Sequence, residues 1–179
     1  MTPQHLSVLE QSLWPKGRRR DVWMIVDAAR DQRIYGLLLD CFYSERTCLF
    51  AGQLTPQLEM AAPYLIRLEF EGAKTRRFLS HAWGNEWGVF LRTDLGLDDL
   101  KRHLRDLLVV RDPSGRIMVF RYYDPRVLRV YLPTCTSDEL RTVFGDIECF
   151  WMEDDQPATV LNAGFDKKQL VVNKLPLPA

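Results

Sequence analysis

Arg121 to Thr136 reads RYYDPRVLRVYLPTCT. Arginine, tyrosine, aspartate, cysteine and threonine within one short stretch could do two kinds of chemistry. Cys135 could act as a nucleophile, paired in space with His81 as its base. The same residues could instead finish two helices and leave a surface that grips another chain. Asp124 is a good N-cap, Pro125 suits the first helical position, and Thr136 with Glu139 has capping-box spacing. Arg121, Tyr123, Arg126 and Arg129 would then offer forked hydrogen bonds and cation–π contacts. Arg121 has an internal alternative, an ion pair with Asp124 that braces the strand–helix corner.

The remaining reactive residues do not gather in sequence. His5, His81 and His103 are scattered, and Cys41, Cys48, Cys135 and Cys149 form no CxxC pair. No Gly-rich phosphate loop, HExxH or GxSxG string occurs. Asp98-Asp99 and Asp154-Asp155 make poor acid–base dyads, since adjacent residues point apart or lie in a loop. Asp27 closes the apolar run Val22–Val26, at a strand end where α/β proteins often place catalytic groups; its plain role is a cap. His81-Ala82-Trp83-Gly84-Asn85-Glu86-Trp87-Gly88 places two tryptophan–glycine pairs around a turn. Trp83 and Trp87 are either packing at a sheet end or anchors for a partner. This pattern favours a binding protein with no catalytic residue, metal or cofactor. The alternative is a small hydrolase or transferase using Cys135 or Asp27.

These residues need elements to position them. Val22–Val26 is an unbroken apolar run, as in a strand covered on both faces. Ile34, Leu37, Leu38, Cys41 and Phe42 repeat as a helix face, as do Leu97, Leu100, Leu104, Leu107 and Leu108. Helices are also predicted over 4–14, after Thr55-Pro56, over 73–82, after Asp124 and after Thr136. Strands are predicted at Thr47–Ala51, Tyr64–Glu69 (alternating, half-buried) and Val89–Leu91. Val109–Arg111 and Arg116–Tyr122 form a hairpin around Asp112-Pro113-Ser114-Gly115. Strand-like pieces follow at Glu148–Met152, Thr159–Asn162 and Leu170–Val172; Lys174 to Pro178 should be irregular. Val127, Leu128, Val130 and Tyr131 should pack inward, and His103 should be solvated. The fold is therefore α/β, a mixed β-sheet flanked by helices with a smaller C-terminal helical and β portion. Residues 1–145 form the core and 146–179 an extension packed on it.

Composition narrows the class. The chain has 179 residues, 46% of them hydrophobic, with 24 basic and 24 acidic side chains. Zero net charge argues against a generic nucleic-acid binder, although Lys16 to Arg20 is a local basic cluster. No apolar run approaches the ~20 residues a membrane span needs. The start lacks the pattern of a secretory signal, and unpaired cysteines suit a reducing compartment, so a cytoplasmic location with no membrane insertion is expected.

Several strings resemble a known family: CLFAGQLTPQLEMAAPYLIRLE (Cys48–Glu69), WGNEWGVFLRT (Trp83–Thr93), Leu97–Thr136 with its YYDPRVL and LPTCT, and FGDIECFWMED (Phe144–Asp154). Together with VWMIVDAARDQRIYGLL (Val22–Leu38) they resemble the Tap/TEC adaptor family of bacterial type VI secretion, over about residues 20–155. The resemblance implies a non-enzymatic cytoplasmic adaptor chaperone. Such a protein binds a toxic effector, often by the effector's N-terminal region, and helps load it onto the VgrG spike. Carried onto this chain, the motif marks Trp83, Trp87, Arg121, Tyr123, Asp124 and Arg126 as partner-binding residues. Effector choice would rest on residues after Phe144 or on the N-terminal helix.

Overall fold

The computed structural model describes residues 2–15, 20–111 and 114–178. Its centre is a seven-stranded sheet in the order β2-β3-β1-β4-β7-β8-β9. The strands are β1 (Asp21–Asp27), β2 (Thr47–Cys48), β3 (Pro63–Leu68), β4 (Gly88–Thr93), β7 (Ile147–Glu153), β8 (Thr159–Phe165) and β9 (Leu170–Pro176). A separate ribbon pairs β5 (Val109–Arg111) with β6 (Ile117–Val119). The helices are α1 (Pro3–Leu13), α2 (Gln32–Phe42), α3 (Pro56–Met60), α4 (Ala73–Ala82), α5 (Leu97–Leu108), α6 (Pro125–Tyr131) and α7 (Ser137–Phe144).

The α/β class holds, with helices on both faces of the sheet. Strand direction departs from the expected mixture: every ladder among the described residues is antiparallel. Apolar runs such as Val22–Val26 need only two covered faces, and here helices cover both faces of an antiparallel sheet. Side chains alternate across a strand. Val22, Met24 and Val26 of β1 join one core with α1, α2 and α4, while Trp23 and Ile25 join a second core with α5, α6 and α7. The same double cover corrects the reading of β3, where Tyr64, Leu65 and Ile66 are all buried instead of alternating.

The residues after 145 enter this sheet directly: β7 pairs with β4, β8 with β7 and β9 with β8. Expected irregular at Lys174–Pro178, the chain instead stays in β9 as far as Pro176, which sits opposite Thr159. β9 is the last strand of the order, and an edge strand tolerates proline because one side needs no donor. At the other edge β2 has two residues, shorter than predicted. Arg105 of α5 donates to the carbonyls of Cys48, Leu49 and Phe50 and secures the chain there.

Three local expectations fare differently. Thr136 accepts from the Glu139 amide and Glu139 accepts from the Thr136 amide, so the capping box is present. Thr136→Ala removes this cap from an eight-residue helix and costs about 1 kcal/mol in urea unfolding. Val130 is exposed, not inward: it lies two residues from buried Leu128, and helix positions two apart do not share a face. His103 is not solvated. Its Nε2 meets the Val143 carbonyl at 3.0 Å, and its ring fills the space beside Gly145. Most of the basic cluster, Lys16 to Arg19, and the Asp112-Pro113 turn lie outside the described residues. Arg20 pairs with Asp94 and Glu148.

Candidate protein-interaction surface

The strand end of β1, the turn before β4 and the start of α6 meet at one corner. Asp27 is buried at the end of β1. It caps the following 3-10 turn through the Ala29 amide, and its other oxygen accepts from Arg121. Arg121 also lies 3.7 Å from Asp124, so both the internal pairing with Asp124 and an unforeseen one with Asp27 are made. Hydrogen bonding to Asp27 raises the Arg121 pKa further above its ordinary value.

Asp124 is buried and caps α6 by accepting from the Arg126 amide at 3.0 Å. The Arg126 side chain returns to the same carboxylate through Nε at 3.0 Å and Nη2 at 2.6 Å. Burial opposes ionisation of Asp124. The hydrogen bonds and charge of Arg126, helped by Arg121, outweigh it and hold the carboxyl below its ordinary value. Tyr123 is buried against this cluster, and burial pushes its phenol up to about 12. Tyr122 is also buried and donates to the Leu104 carbonyl at 2.8 Å.

The network continues through Glu86. Its carboxylate receives Arg129 at 2.8 Å and Arg30 at 3.2 Å, with Arg126 at 3.8 Å. Glu153, from the end of β7, accepts from the amides of Gly84 and Glu86 at 2.7 and 2.9 Å. Both of those residues have positive φ, which turns their amides toward the same side chain. Beside them lies an open cleft of about 500 Å³, with Arg30, Arg129, Glu86, Glu153 and Asp155 on its wall.

Glu153 is the unusual titrating group. Burial, with repulsion from Glu86, outweighs its two amide hydrogen bonds and Arg129, and raises its pKa from 4.5 to about 7. The folded carboxyl holds its proton to about pH 7, whereas the unfolded chain releases it near 4.5. This group's stabilising contribution is therefore complete below pH 4.5 and is lost as the pH rises to 7. Glu153→Gln stays uncharged throughout. Between pH 5 and 8 the stability of wild type relative to this variant falls by about 2–3 kcal/mol, read from urea unfolding at both pH values. An unchanged difference would mean that Glu153 ionises normally.

The six residues marked by the motif are thus gathered, but not all at the surface. Trp87 is buried, edge-on to Phe78 and under the Arg33 guanidinium; Trp83 is buried against Phe90. Tyr123 and Asp124 are interior as well. Trp83 still lines the cleft beside Glu153, while Trp87, Tyr123 and Asp124 are 1%, 3% and 2% exposed and pack inside the corner. Arg121 and Arg126 keep 44% and 41% of their side chains in solvent. Sequence reasoning missed Arg30, Glu86 and Glu153; only the strand-end position of Asp27 hinted at its part. Cys135 donates to the Tyr131 carbonyl, and burial pushes its thiol up. Among the described residues no cluster of three or more His, Cys, Asp or Glu could hold a metal, and no helix is long and apolar enough to cross a membrane.

An α/β protein with an arginine-rimmed corner built on buried carboxylates is the class that fold and site define. The chain belongs to the family described as Domain of unknown function (DUF4123), whose model matches residues 22–142, more than half of the sequence. No curated protein and no solved structure matches it.

Proposed function

We propose that this protein is a non-enzymatic adaptor chaperone of type VI secretion. It holds an effector, through the effector's N-terminal region, and delivers it to the VgrG spike in the cytoplasm. The observation that carries this reading is the pair Arg121 and Arg126. Each is locked from behind by a buried carboxylate, Asp27 or Asp124, and each presents a large part of its guanidinium outward. A fork fixed before binding loses little side-chain freedom when a partner's carbonyls or carboxylates arrive. The resemblance of the corner motif to the Tap/TEC adaptors supplies the partner class. Asp27 held by Arg121 and Cys135 with a raised thiol pKa are poor starting points for the rival hydrolase or transferase.

Affinity capture of the tagged chain from its native host, followed by mass spectrometry, tests the reading. A toxin-like protein or a spike component should co-purify. Recovery of neither overturns the adaptor role.

A further inference from the structure

The β5–β6 ribbon is built unlike the rest of the fold. It stands apart from the main sheet as two short strands, Val109↔Val119 and Arg111↔Ile117 being opposed pairs. Opposed residues share a face, so Val109, Ile117 and Val119 form an aliphatic patch with Arg111 at its turn end. The three aliphatic residues are 57%, 60% and 56% exposed. A two-stranded ribbon is marginal alone, and open strand edges invite pairing. At its base a groove of about 380 Å³ runs between Val110, Phe120, Tyr131 and Val143. Its rim carries the carboxylates Asp106, Asp138 and Glu139, and among the described residues no lysine or arginine lines it. Arg141 faces Asp138 from outside, while Glu139 is held ionised by the Thr136 amide and hydroxyl.

We propose that this ribbon and groove are the client-docking surface, and that the occupant is an extended polypeptide segment alternating aliphatic and basic residues. Its aliphatic side chains would cover Val109, Ile117 and Val119, and its basic ones, on the opposite face of the extended segment, would meet the acidic rim of the groove. Strand addition to an open ribbon supplies backbone hydrogen bonds, and the pockets select side chains. The inference rests on the adaptor reading for the word client, but not for the surface itself.

Two measurements test it. In the first, a fluorescein-labelled nine-residue peptide alternating valine and lysine is titrated with the full chain and followed by anisotropy, against a matched valine–glutamate peptide. The basic peptide should bind at least ~10-fold more tightly, a difference of about 1.4 kcal/mol. The variant Ile117→Ser/Val119→Ser, altered only at exposed sites and unchanged in charge, should lose that binding while its circular dichroism is unchanged. Equal binding of both peptides, or full binding by the variant, overturns the proposal. So does a concentration-dependent dimer, seen by sedimentation, that Ile117→Ser/Val119→Ser disperses, since a second copy would then be the occupant. In the second, the same variant is used in the native-host capture. Clients retained by the variant would sink the surface and leave the adaptor reading intact. Absence of any client from the wild type, with the basic peptide still bound, would sink the adaptor reading and support the surface.

Discussion

Gly88→Ala leaves little or no folded protein, or lowers stability by about 4 kcal/mol or more. Gly88 begins β4 and lies opposite Val26 in the β1–β4 ladder. A Cβ built there falls 2.0 Å from the Ile25 carbonyl oxygen, 2.9 Å from its carbon and 3.1 Å from Val26 Cα. All three are backbone atoms of a central strand held on both sides by ladders, so no side-chain rotation relieves the overlap. Relief requires β1 and β4 to separate at the point where Asp27 donates its amide to the Trp87 carbonyl. The clash therefore reaches the arginine corner as well as the sheet. For a chain of this length, a loss of that size lowers Tm by roughly 8–16 °C, read by differential scanning calorimetry. Gly84→Ala is the control. Its Cβ meets nothing within 4 Å and only its positive φ is strained, so it costs about 1 kcal/mol. Equal stability of Gly88→Ala and wild type would mean that the two strands are not as close as described.

Arg121→Ala is the second large effect, expected at about 2–4 kcal/mol. Breaking a buried ion pair by removing one partner costs about 3–5 kcal/mol, because the other charge is left without compensation. The figure is discounted here because Arg121 is itself 44% exposed and solvent screens part of the interaction. Asp27 bears most of the loss, since it is buried and its remaining hydrogen bond comes from the Ala29 amide. Asp124 keeps Arg126 and is less affected. Arg121→Lys restores charge but not the planar guanidinium whose Nη2 faces both Asp27 and Asp124, so it recovers only part of the stability. Asp27→Asn in the Arg121→Ala background removes the orphaned charge and should return about 1–2 kcal/mol. If the two changes prove additive, the pair is not coupled and the corner is held by packing alone.

For the adaptor reading Arg121→Ala and the ribbon variant act differently. Arg121→Ala removes one of the presented guanidiniums, so client capture should fall even at a temperature where the variant is folded. Ile117→Ser/Val119→Ser leaves the corner untouched and reports on the ribbon alone.

Sequence alone determined the local devices of this protein. Asp124-Pro125 and the Thr136–Glu139 box work as read, because caps satisfy amides within four residues and need no distant partner. The apolar run Val22–Val26 and Leu100, Leu104 and Leu108 of α5 likewise announced the sheet and a covering helix, since periodicity reports burial; Leu97, read into the same stripe, is exposed at the helix start. Tertiary structure decided the rest. Arg121 finds Asp27 from 94 positions away, and the Glu153 carboxylate closes the Trp83–Trp87 turn across 67 or more. Strand order sets those distances, and nothing in local spacing encodes it. Two tryptophans beside a turn look the same in sequence whether they face a partner or the core. Here α2 and α4 cover that side of the sheet, and burial of large apolar area outweighed exposure. Val130 and the ribbon valines ended in solvent because helix and strand lay no further layer over them.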